Sequence, residues 1–152
     1  MSDQATYCHT QPGWLTRVCL YVPALAIFLA CMFVIAIPTT ELFALFAAGV
    51  ALFVGGWLFG SLTVTVGEDA VEVRFGPGII RRRWALDDFT SVSVVRTRWW
   101  HGWGIHWGPK GWLYNVSGFD AVELVRKNGR VLRIGTDDPS ALEQALRAAL
   151  KL

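Results

Sequence analysis

The sequence predicts a transmembrane α-helical hairpin followed by a mainly-β domain of seven antiparallel strands and a C-terminal helix. Three observations predict it. Residues 1–66 hold only Asp3, Arg17 and Glu41 as charged side chains, while residues 67–152 hold the other 23. Two apolar stretches of about twenty residues lie within that charge-poor part, each long enough to cross a hydrocarbon core of about 30 Å. After residue 62 the apolar period changes from that of a helix to two.

Composition fits this division. The chain has 152 residues, 53% of them hydrophobic and 17% charged, with a mean hydropathy of +0.39. Soluble domains average about 25% charged residues, and a disordered or highly charged tail protein is excluded. The net charge of +2 gives no footing for nucleic-acid binding.

Residues 1–17 read as an N-terminal tail. The first span is 18–37, VCLYVPALAIFLACMFVIAI, too long for the apolar core of a cleaved signal peptide. Pro23 lies about one turn inside it, which a membrane helix tolerates where neighbours satisfy the freed carbonyl. Pro38-Thr39-Thr40-Glu41 forms a polar turn. The second span is 42–61, with Gly49, Gly55, Gly56 and Gly60 as small-residue notches. Gly56 and Gly60 make a GxxxG spacing, a helix-packing face that could serve the hairpin alone. Arg17 precedes the first span, Arg74 and Arg81 to Arg83 follow the second, and the turn has no Lys or Arg. The positive-inside rule then puts both termini in the cytoplasm. Cys8, Cys19 and Cys31 form no disulfide or metal-ligand pattern.

Residues 62–152 form the cytoplasmic domain. Residues 62–66 and 71–75 alternate around the turn Gly67-Glu68-Asp69. Gly76-Pro77-Gly78 leads to a third strand over 79–86, with Arg81 and Arg83 on one face and Arg82 on the other. Asp87-Asp88 turns the chain into a Val- and Thr-rich strand over 89–98. A Trp- and Gly-rich segment, 99–111, precedes short strands at 112–116 and 121–125. Lys127-Asn128-Gly129 carries a hairpin signal, answered by a strand at 130–134. The final helix starts at the N-cap Asp138 with Pro139 at its first position. Leu142, Ala145, Leu146, Ala149 and Leu150 share one face.

This order, seven strands and a closing helix, resembles the pleckstrin-homology superfold. The whole chain is similar to bacterial membrane proteins that join a two-helix hairpin to a PH-like domain, and residues 111–139, GWLYNVSGFDAVELVRKNGRVLRIGTDDP, look like what small proteins of this kind carry. The resemblance implies an interaction platform at the bacterial inner (plasma) membrane. It does not imply phosphoinositide binding. The loop that would carry the basic clasp is here the acidic Gly67-Glu68-Asp69-Ala70, and residues 141–152 lack the Trp of the eukaryotic final helix.

The candidate site is the run 96–112, RTRWWHGWGIHWGPKGW, which holds five of the eight Trp. Trp favours the membrane interface, and basic residues beside it attract anionic inner-leaflet lipid. Arg81, Arg82, Arg83, Arg96, Arg98, Trp99, Trp100, Trp103, Trp107, Lys110 and Trp112 are therefore the expected membrane-interface or partner-contact residues. Trp filling the β core is the competing reading. His101 and His106 are five apart, a spacing that suits one face of neither a helix nor a strand. Asp87-Asp88 and Asp137-Asp138 sit where Asp turns and caps chains. No catalytic residue, metal or cofactor is expected, and the Asn115-Val116-Ser117 sequon is irrelevant in the cytoplasm.

The function expected is a non-catalytic membrane-anchored module, a scaffold, assembly factor or accessory subunit. Its partners would be the anionic inner leaflet and another membrane protein or a second copy, not nucleic acid. The alternative is a small membrane enzyme or cofactor-binding protein using residues 99–112.

Overall fold

The computed structural model describes residues 6–33, 38–97, 104–108 and 111–152. Strand β1 (Tyr7–Pro12) comes first, then helices α1 (Trp14–Phe33) and α2 (Thr39–Leu58). Strands β2 (Ser61–Val66), β3 (Ala70–Phe75), β4 (Ile80–Ala85) and β5 (Phe89–Arg96) follow. Then come β6 (Gly104–Gly108), β7 (Gly111–Asn115), β8 (Asp120–Arg126), β9 (Val131–Gly135) and helix α3 (Pro139–Leu150).

Both long helices are long and apolar enough to cross a membrane, and only 11% of each apolar window is buried inside the protein. A core helix of a soluble protein would be mostly covered. The helices start about four residues before the expected 18–37 and three before 42–61, so Arg17 lies inside α1 rather than ahead of it. The expected end of the first span, 34–37, lies outside the described residues. The GxxxG spacing serves the hairpin: Gly56 faces the Tyr21 ring and Gly60 faces the Arg17 side chain. Phe28 fills the space over Gly49. A Leu at position 56 would overlap the Tyr21 ring. Gly56→Leu is thus expected to weaken the hairpin by about 1–3 kcal/mol. Reduced disulfide trapping of paired cysteines on the facing helix surfaces would report it.

The β part forms two sheets. One has the order β1-β2-β3-β4, the other β5-β8-β9-β7-β6. In β2 and β3 alternate residues point inward: Leu62, Val64, Val66, Val71, Val73 and Phe75 are each 3% exposed or less. They meet Val122, Leu124, Leu132 and Ile134 of the second sheet and Leu142 and Leu146 of α3 in one core. α3 follows its sequence signals closely. Asp138 Oδ1 accepts from the Ala141 N–H at 3.1 Å, Pro139 opens the helix, and Lys151 ends it in the left-handed region.

Three expectations need correction. The described residues contain nine strands, not seven. Residues 7–12, read as tail, pair with β2 along their whole length, from Tyr7↔Val66 to Pro12↔Ser61. Polar residues at alternate positions hide this strand, and its partner lies beyond the hairpin. Residues 104–108, placed in the Trp- and Gly-rich segment, form β6 against β7. The sheets are not wholly antiparallel either, because β7 and β9 run parallel from Gly111↔Val131 to Tyr114↔Ile134.

The strand pairing decides how the domain meets the hairpin. β1 runs into α1, and α2 runs into β2, the partner of β1. The Gly13 N–H donates to the Gly60 carbonyl at 2.9 Å, closing the joint. The second sheet docks on the same joint. Gln11 Nε2 donates to the Ser117 carbonyl at 2.9 Å, Ser117 Oγ to the Pro12 carbonyl at 3.0 Å and Thr16 Oγ1 to the Val116 carbonyl at 2.5 Å. Gln11, Thr16 and Ser117 are all buried. Buried polar groups of this kind fix a geometry that apolar packing alone leaves loose.

Candidate functional site: an aromatic collar at the helix ends and an aromatic–basic groove

The described residues of the predicted interface divide into separate places. The first is the helix end of the β domain. The β3–β4 turn lies there, its Gly76 backbone against the carbonyls of Trp57 and Leu58 at the end of α2. Ile79 in that turn is 67% exposed, and Trp14 and Trp57 at the adjoining helix ends are 60% and 51% exposed. Arg74 and Arg81, opposite each other in the register, follow immediately. Exposed Trp thus stands beside Arg where both helices meet the sheet, and Trp is a residue type enriched at membrane–water interfaces. Trp14 and Trp57 were not among the expected site residues; their positions at the two span boundaries are the signal that would have found them.

The basic run on β4 splits by strand alternation. Arg81 and Arg83 pair with Arg74 and Glu72, which lie on the outer face of the sheet. Arg82 pairs with Val73 and so shares the inner face with Ile80 and Trp84. β4 is an edge strand, and charge on an edge discourages pairing with other chains. Arg96, exposed at the end of β5, is opposite Asp120. That end of the second sheet carries the Val116 and Ser117 contacts to the helix joint. Arg98, Trp99, Trp100, His101, Trp103 and Lys110 lie outside the described residues.

The second place is a groove at the opposite end of β7. Trp107 and Trp112 are register partners on β6 and β7, about 10 Å of strand away from Asn115. Their rings meet edge to face at 4.8 Å and 72°. Trp84 meets Tyr114 edge to face at 5.2 Å, and Tyr114 meets Phe75 at 6.2 Å. Such aromatic contacts contribute beyond the area they bury. Trp107 and Trp112, 58% and 44% exposed, do not fill the β core; Tyr114, which was not among the expected residues, is buried in it. A cavity of about 50 Å³ lies between Trp84, Trp107 and Trp112, with Arg126 and Arg130 on its wall.

The two arginines come from the β8–β9 hairpin. The Arg126 N–H donates to the Arg130 carbonyl at 2.8 Å, and Asn128 Oδ1 accepts from the Arg130 N–H at 3.0 Å, so the Asn-Gly turn sets their separation. The Arg126 guanidinium lies over the Phe89 ring, 5.6 Å from its centroid, a cation–π contact that orients it. Burial raises the Tyr114 phenol above its ordinary pKa; Arg82 and Arg126 nearby pull the other way and only partly offset it. Trp84, Arg126 and Arg130 were not predicted as groove residues. Their meeting depends on the parallel β7–β9 pair, which joins segments that no local signal connects.

Among the described residues there is no group of three or more His, Cys, Asp or Glu placed to hold a metal. Asp138 caps α3, and Asp137 Oδ1 lies 2.6 Å from His9 Nε2, tying β1 to the start of that helix. No family model matches the chain, and no curated protein matches it.

Proposed function

We propose that this chain is a non-catalytic, membrane-anchored interaction module, acting as a scaffold, assembly factor or accessory subunit of a complex in the bacterial inner membrane. The observation that carries this reading is the joint between hairpin and sheet. Both helices continue into the paired strands β1 and β2, with the second sheet hydrogen-bonded to the same point. A domain built this way keeps a fixed height and orientation over the bilayer, as a docking platform needs.

In this reading both termini are cytoplasmic, and the collar of Trp14, Trp57, Ile79, Arg74 and Arg81 rests in anionic headgroups, each nearby cation contributing about 1 kcal/mol. A PH-like identity is supported by two packed sheets closed by a C-terminal helix, and the parallel β7–β9 pair departs from it. Arg98, Trp99, Trp100, Trp103 and Lys110 join the lipid or partner contact as part of the same proposal.

The test is purification of the full chain from its native membrane in mild detergent, followed by protein identification. A stoichiometric membrane partner, or a defined self-assembly, is the expected result. A monomer with a bound haem or metal spectrum and no partner would overturn the reading.

A further inference from the structure

The aromatic–basic groove has a composition and a size that say what it takes. Trp, Tyr and Arg are the residues that most often dominate binding energy at protein interfaces. Here Trp107 and Trp112 stand exposed beside Trp84, with Arg126 and Arg130 on the wall and no acidic residue among the described lining residues. Glu123 and Glu143 are engaged by other arginines, Arg133 at 2.7 Å and Arg147 at 3.0 Å.

We propose that this groove binds an acidic peptide segment of a partner protein, one carboxylate side chain entering between Arg126 and Arg130 while a neighbouring apolar side chain lies on Trp107 and Trp112. Charge selects this occupant: the cavity beside the two arginines, about 50 Å³, is well below the about 300–1,000 Å³ of small-molecule and cofactor pockets and suits one carboxylate. Position selects it over lipid. The groove residues sit at the ends of β4 and β7 remote from the helix joint, whereas a headgroup contact would fall on the collar. Arg126 is held over the Phe89 ring and the Asn-Gly turn fixes the backbone of Arg130, so Arg126 at least is oriented before a ligand arrives, which lowers the entropy lost on binding.

This inference rests on the interaction-module reading and refines it. The full chain is placed in phosphatidylcholine nanodiscs, and a fluorescein-labelled peptide alternating Glu and Leu is titrated by anisotropy. A peptide alternating Gln and Leu, an oligothymidine and phosphatidylglycerol vesicles are compared with it. Saturable, salt-sensitive binding of the Glu peptide is expected. It should be about tenfold weaker for the Gln peptide, which loses every carboxylate, and up to about fivefold weaker for Arg130→Gln, an exposed pair being worth up to about 1 kcal/mol. Arg130 is exposed, so its substitution leaves the fold intact, and Trp112→Phe gives a second, conservative variant that should also weaken binding. Equal binding of the two peptides overturns the proposal. So does unchanged binding by both variants, or binding of oligothymidine or the vesicles with the same residue dependence. If the peptide fails while a membrane partner still co-purifies, the groove assignment falls and the module reading stands. If the peptide binds while nothing co-purifies, the groove assignment stands and the accessory-subunit reading falls.

Discussion

Phe75→Ala is expected to destabilise the chain by about 3–5 kcal/mol, the usual cost of emptying a fully buried Phe site. Phe75 is 1% exposed and touches all three parts of the structure. Its ring lies 5.4 Å from Phe59, just past the end of α2, and 6.2 Å from Tyr114 of the second sheet. It also ends β3, opposite Leu62 and Ile80. Removing it opens a cavity where hairpin, first sheet and second sheet converge, a place that cannot collapse without moving the helix joint. For a β domain of this size the melting midpoint, followed by near-ultraviolet circular dichroism in detergent, should fall by more than about 10 °C. Phe75→Leu, which keeps most of the volume, should fall much less. Equal midpoints for Phe75→Ala and the parent chain would show that the joint is held by its hydrogen bonds and not by this ring.

What the sequence revealed of this architecture follows from how local each signal is. The two spans were legible because their apolar content needs no partner to be recognised. β2, β3, β8, β9 and α3 were legible because each alternates or caps within its own few residues; Asp138, Pro139 and Leu142 are a complete helix signature in themselves. β1 was not. Tyr7, Cys8, His9 and Thr10 make no apolar stripe, and the strand exists because the hairpin returns β2 to its side. β6 was hidden for a related reason: Ile105, His106 and Trp107 between glycines are too short a run to alternate convincingly. The candidate site was half legible. Trp107 and Trp112 stood out by type, but their distance from the helix joint is set by register, which composition does not carry. Arg126 and Arg130 looked like ordinary hairpin flanks until the parallel pairing of β9 with β7 brought them beside Trp112.

That parallel pairing depends on one residue. Gly111→Ala should destabilise the domain by about 2–6 kcal/mol if its two costs add: a positive φ forced on a side chain and overpacking of a closed contact. Gly111 has φ +147°, and a Cβ there would overlap the Val131 carbonyl of β9. The strands must separate at the Gly111↔Val131 position, and Trp112, the next residue, moves away from the wall formed by Arg126 and Arg130. Gly129 provides the comparison. It also has positive φ, +77°, but nothing lies within 4 Å of where its Cβ would be. Gly129→Ala therefore carries only the left-handed penalty, about 1–2 kcal/mol, and the turn keeps both arginines in reach. The pair separates conformation from contact: Gly111→Ala should lose both midpoint and binding of the Glu–Leu peptide, and Gly129→Ala should lose a little midpoint and keep the binding. Matching losses in the two variants would mean that the β7–β9 approach does not shape the groove, and that the exposed tryptophans find their positions from the β6–β7 hairpin alone.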